Sequence, residues 1–138
     1  MTPVRAYVAL GSNLGDRHGY LALARERLAS LPDTTLRAVS TLEETVPLGG
    51  LEQPPYLNQM VALETTLEPE ALLAALHQIE VETGRERRIR WASRTLDLDL
   101  VQYAEIVRDA PGLVLPHPGL AERDFWRSEL AELHRMGW

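Results

Sequence analysis

The 138-residue sequence contains no cysteine and no lysine. The first absence removes disulfides, thiolate metal ligands and cysteine nucleophiles together, and leaves the redox compartment open. The second removes a Walker-type phosphate lysine and Schiff-base chemistry, so any phosphate must be held by arginine, backbone or metal. Aromatic residues are sparse, with one Phe, three Trp and four Tyr, so aliphatic side chains must carry the core. No apolar run approaches the ~20 residues of a membrane span. The short run Val4 to Leu10 near the N-terminus has neither a basic leader nor a small-residue cleavage site. A cytoplasmic protein without a membrane partner is the expectation.

What is present fits one compact domain over residues 1–138, because 45% of the residues are hydrophobic and no low-complexity tract or linker interrupts them. The formal charge of -6 argues against a nucleic-acid binder held by bulk electrostatics. The charge is unevenly placed. Arg85, Arg87, Arg88, Arg90 and Arg94 fall in ten residues with one acid, Glu86, so that window carries +4 and the remainder -10. Nothing suggests an obligate interface, and a monomer is expected.

Val4, Ala6, Val8 and Leu10 alternate as in a strand, closed by Gly11-Ser12-Asn13. Asp16 can cap a helix carrying Leu21, Ala24, Leu28 and Leu31 as far as Pro32. Leu36 to Thr45 reads as a strand, Pro47 to Pro55 as a long loop, and Leu57 to Thr66 as a strand again. Pro69 opens a helix with Leu72, Leu76 and Ile79 on one face and Gly84 where a C-terminal cap belongs. After the arginine-rich segment, Thr95 to Tyr103 alternates as a half-buried strand, with leucines on one face and aspartates on the other. A Pro/Gly-punctuated stretch follows from Pro111 to Gly119, and Leu120 to Leu133 reads as helix. The order β-α-β-β-α-β plus a helix predicts a ferredoxin-like α+β sandwich. Its antiparallel sheet is expected to have one face on the helices and the other partly wet.

Asp97 and Asp99, two residues apart on a strand, project from one face roughly 7 Å apart. Paired carboxylates repel unless a cation lies between them, and such oxygen ligands suit magnesium with phosphates completing its shell. A solvated sheet face is the plain alternative, although strands disfavour Asp and this strand reads as central. The arginine cluster supplies the complement, because guanidinium forks match phosphate oxygens. A solvated loop or an RNA contact is its alternative. Metal and arginines together are the parts of phosphoryl transfer.

The segment Arg90-Trp91-Ala92-Ser93-Arg94-Thr95-Leu96-Asp97-Leu98-Asp99-Leu100-Val101 closely resembles the signature of the 6-hydroxymethyl-7,8-dihydropterin pyrophosphokinase family of folate biosynthesis. It is joined in order by Ala9 to Gly15, by Thr45 to Gly49 with Gln53-Pro54 and Tyr56-Leu57-Asn58, and by Leu115-Pro116-His117-Pro118 with Arg123 and Phe125. The resemblance implies attack of the pterin hydroxymethyl oxygen on the β-phosphorus of ATP, with AMP leaving. It implies ATP and 6-hydroxymethyl-7,8-dihydropterin as partners, and a pair of Mg2+ ions on Asp97 and Asp99. No general base is mandatory.

By the same resemblance, Tyr56 and Phe125 sandwich the pterin, and Asn58 with the backbone near Thr45, Val46 and Leu48 meets its edge. Arg85, Arg94 and Trp91 belong to a catalytic loop that closes over the nucleotide and excludes water. Arg123 faces the pterin side and His117 the triphosphate. Glu80, and more weakly His77, contact the nucleotide from the second helix. Two departures stand out. Val46 replaces a frequent proline, and 128–138 is brief for the family, so the core is expected intact with an edge element lacking.

Overall fold

The computed structural model describes residues 2–46, 54–83 and 96–138. Strands β1 (Val4–Ser12), β2 (Thr34–Val39), β3 (Glu43–Thr45), β4 (Tyr56–Thr65) and β5 (Asp97–Tyr103) form one sheet. Helices α1 (Arg17–Ala29) and α2 (Pro69–Glu82) connect them. The order across the sheet is β2-β4-β1-β5, every pairing is antiparallel, and β3 continues the β2 side of β4. Each strand-helix-strand unit therefore straddles the first strand of the other, which is the ferredoxin-like arrangement.

Local chemistry accounts for the helices. Asp16 accepts from Gly19 N at 3.0 Å and so satisfies one of the orphan amides that begin α1. Pro69 starts α2 at no hydrogen-bond cost, because a first-turn amide has no partner in any case. Leu21, Ala24 and Leu28 of α1 and Leu72, Leu76 and Ile79 of α2 join Val8, Leu10, Leu98 and Leu100 in one apolar layer. Thr83 ends α2, and Gly84 lies outside the described residues.

The strand expected over 36–45 is two strands. Ser40 N and Oγ both bond the Met60 backbone, at 2.8 Å each, while Gln59 Nε2 donates to Ser40 O at 2.7 Å. The Thr41 amide is then taken by the Glu132 carboxylate at 2.9 Å and leaves the ladder. A hairpin, β6 (Arg108–Ala110) with β7 (Leu113–Leu115), likewise turns at the start of the Pro/Gly stretch. The last helix is broken at Arg123, whose extended backbone separates α3 (Gly119–Glu122) from α4 (Asp124–Arg135).

One further expectation is corrected: β5 is an edge strand, bonded only to β1 among the described strands. The second sheet face is open over part of its length only, because α4 lays Trp126, Leu130 and Leu133 on Tyr7, Ala9, Ala38, Met60, Ala62 and Val101. Each buried Leu, Val or Met side chain among them contributes ~1.5–3 kcal/mol of transfer free energy. At the far end of that face, Tyr7 donates from its hydroxyl to Trp138 O, and Arg5 lies 4.7 Å over the Trp138 ring. Among the described residues no helix is long and apolar enough to cross a membrane.

Candidate active site

Where α4 begins, the second face of the sheet is left open as a cavity of about 270 Å³. Its floor follows from strand register. Gly11 of β1 lies between Asn58 of β4 and Asp97 of β5, while Ala9 lies between Met60 and Asp99. One face therefore presents an amide, a bare backbone and two carboxylates in sequence. Thr45, Val46 and Tyr56 form one wall, and Arg123, Phe125 and Trp126 the other.

Small residues make the floor. A Cβ on Gly11 would stand 3.4 Å from Asn58 Oδ1 and 3.5 Å from a Tyr56 ring carbon, within the cavity itself. Asn58 is fixed from behind, its Nδ2 donating to Thr45 Oγ1 at 2.6 Å and to Tyr56 O at 3.3 Å. The amide oxygen is thereby turned to the Gly11 side, available to a ligand edge.

Asp97 and Asp99 are half-buried, and alternate with the buried Leu98 and Leu100 as the period-2 pattern requires. The Asp99 side chain is 41% exposed at the cavity mouth. His117 faces it, Nε2 to Oδ1 3.7 Å. Because His117 Nδ1 accepts from Gly119 N at 2.9 Å, the neutral ring carries its proton on Nε2, toward Asp99. Burial holds the His117 pKa below its usual value; Asp99 opposes this and Arg123 adds to it. The His117 ring meets Trp126 edge-on at 5.0 Å, and Arg123 covers the Trp126 ring at 4.5 Å. Gly119 makes this stack possible, since a Cβ there would lie 2.6 Å from Arg123 Nη1 and 2.9 Å from Trp126.

Thus Thr45, Val46, Tyr56, Asn58, Asp97, Asp99, Arg123 and Phe125 line one cavity, with His117 at its edge. Glu80 is placed differently. It is 5% exposed, and its Oε2 accepts from Leu98 N at 2.9 Å, on the outer edge of β5 between the two aspartates. His77 is exposed on α2 and does not line the cavity. Leu48, Arg85, Trp91 and Arg94 lie outside the described residues. Trp126 was missed because its spacing with Leu130 and Leu133 marks it as core, which it also is. Gly11 was legible only as a turn signal.

No group of three or more His, Asp or Glu is gathered for a metal among the described residues. Two adjacent carboxylates open to a cavity fit magnesium, which takes one or two protein carboxylates and completes its octahedron with phosphate and water.

The 7,8-dihydro-6-hydroxymethylpterin-pyrophosphokinase family model matches residues 7–135. A 2-amino-4-hydroxy-6-hydroxymethyldihydropteridine pyrophosphokinase of Pseudomonas aeruginosa is 45% identical over 129 residues, 94% of this chain and 80% of the relative. One of the same description from Bacillus subtilis is 42% identical over 128 residues, covering 93% and 77%. The Bifunctional protein FolKE of Lactococcus lactis is 36% identical over 127 residues, covering 92% of this chain and 36% of that protein. With the family pattern running through the strands and helices that build the cavity, the chain belongs to the 7,8-dihydro-6-hydroxymethylpterin-pyrophosphokinase family.

Proposed function

We propose that the cavity binds the pterin and that Asp97 and Asp99 at its mouth hold magnesium. The chain transfers pyrophosphate from ATP to the hydroxymethyl group of 6-hydroxymethyl-7,8-dihydropterin, giving AMP and the pterin pyrophosphate. The observation that carries this reading is the cross-strand row Asn58–Gly11–Asp97, which sets a hydrogen-bonding edge, a flat floor and a carboxylate side by side.

Tyr56 and Phe125, one from each wall, enclose the flat ring system. Asn58 and Thr45 read its polar edge. The ring so held directs its hydroxymethyl arm along the floor toward Asp97 and Asp99. There magnesium, when bound, supplies charge neutralisation for the ATP phosphates. His117, with its Nε2 proton fixed toward Asp99, presents a donor to the phosphate side, while Arg123, stiffened against Trp126, presents its guanidinium to the pterin side of the cavity. Attack by the hydroxymethyl oxygen on the β-phosphorus breaks the bond to the α-phosphate oxygen. The alcohol proton leaves late in that step, so positioning does most of the catalysis. We further propose that the enzyme works as a monomer in the cytoplasm, as its sequence leads one to expect.

Incubation of the protein with magnesium, ATP and 6-hydroxymethyl-7,8-dihydropterin should release AMP, one for each pterin consumed. Release of ADP, or pterin-independent hydrolysis alone, would contradict the assignment.

A further inference from the structure

The buried stripe of α4 contains an acid. Glu129 sits among Trp126, Leu130 and Leu133 and is 3% exposed. No N–H or hydroxyl donor meets either of its carboxyl oxygens among the described residues, and the same holds for Oε1 of Glu43. Glu43 lies within hydrogen-bonding reach of Glu129. It stands on β3 opposite Asn58, at the end of the row that continues through Gly11 to Asp97. Two ionised carboxylates can only accept, so they cannot satisfy one another. A single proton between them lets one donate to the other and removes the repulsion of two buried charges.

We propose that Glu43 and Glu129 share one proton, and that this carboxyl pair ties α4 to β3 and so fixes the separation of the two cavity walls. Thr45 lies two residues beyond Glu43 on the same strand face, and Phe125 lies one helical turn before Glu129. Each member of the pair therefore stands behind a wall residue, one for the polar edge and one for the stacked ring. The positioning role rests on the pterin reading of the cavity; the shared proton does not.

The charged and titratable surroundings favour retention of that proton. Glu43 faces Glu129 from β3, and Glu132 from the same helix adds a second acid, itself bound by Thr41. β4 presents the neutral Asn58 amide. β1 presents Tyr7, with His134 edge-on to its ring at 5.7 Å, and Asp97 and Asp99 lie at the far end of the row on β5. Arg123 is stacked on Trp126. Burial first, then the bond to Glu43 and the two neighbouring acids, push the Glu129 carboxyl up to about 9. Its folded pKa is thus raised. The stability from the pair is fully present below the ordinary carboxylate range and is lost as pH rises through about 9. The wall separation changes only at the last part of that range, when the folded pair itself ionises.

Glu129→Gln replaces the shared proton with an amide donor that does not titrate, and Glu43→Gln makes the same exchange from the other side. Thermal midpoints and the Kd of 6-hydroxymethylpterin, read from its own fluorescence, are measured from about pH 6 to about pH 10 for wild type and both variants. Comparison at each pH cancels titration of the pterin and of other groups. Relative to either variant, the wild-type midpoint should fall as pH rises toward 9, and its Kd should weaken about fivefold or more on passing that pH. Parallel midpoint curves would overturn the shared proton, and so would failure of both variants to fold, since the amide should stand in for the acid. Diverging midpoints with parallel Kd curves would overturn the positioning role. Absence of pterin binding to wild type at every pH would overturn the pterin reading while the midpoints still decide the proton.

Discussion

Gly11 and Gly119 both lack a side chain because of the cavity, for different reasons. At Gly11 a methyl would meet ordinary contact distances in the free protein, but it would occupy the cavity proposed to hold the pterin. Gly11→Ala should therefore leave the thermal midpoint nearly unchanged and weaken pterin binding about tenfold by titration calorimetry, as expected for a methyl in a tight site. At Gly119 the methyl would strike Arg123, Trp126 and His117 from within the protein. Gly119→Ala should cost ~1–3 kcal/mol of stability in denaturant titration, because overpacking displaces the stack. Equal destabilisation by the two substitutions would contradict this division. At this scale the aspartate pair was legible, since strict alternation with leucine forces both carboxylates to one face. Glu129 was not singled out, because Leu120 to Leu133 reads simply as helix. Its partner Glu43 is 86 positions away, a pairing that no local pattern encodes.

β5 carries the aspartates on a sheet edge, where alternate backbone amides point away from β1. Glu80 meets the one between them, so α2 braces the strand directly behind the proposed metal ligands. Loss of that acceptor leaves a buried amide unsatisfied: Glu80→Ala should cost ~1–3 kcal/mol and reduce kcat, whereas Glu80→Gln keeps an oxygen in place and should retain most of both. A kcat loss in Glu80→Gln as large as in Glu80→Ala, at unchanged stability, would instead favour direct nucleotide contact by the carboxylate. The resemblance implied a nucleotide contact for Glu80 and not this bond, because sequence does not tell which face of a helix end meets which strand edge. The split between β2 and β3 was hidden for a related reason. Leu36 to Thr45 has the local character of one strand, and it is Glu132, from a distant helix, that removes the Thr41 amide from the ladder.

Across the whole molecule, the βαββαβ order was readable because each element carries its own punctuation in Asp16, Pro32, Pro69 and the alternating strands. The third layer was not, since a helix after a completed sandwich can pack on either face. Its placement decides the function. By covering the second face only as far as Phe125, α4 seals the Tyr7 end and leaves the end bearing Gly11, Asp97 and Asp99 open. In the proposed function, binding and chemistry are therefore separated in space, with ring recognition between the walls and phosphate handling at the mouth. The most direct measurement of that separation is the pterin Kd by fluorescence titration, together with AMP release, for Asp97→Ala and Phe125→Ala. Asp97→Ala should bind pterin within about threefold of wild type while turnover falls at least ~1000-fold, and Phe125→Ala should weaken binding more than about tenfold. Comparable loss of pterin affinity in both variants, or turnover preserved in Asp97→Ala, would contradict the account.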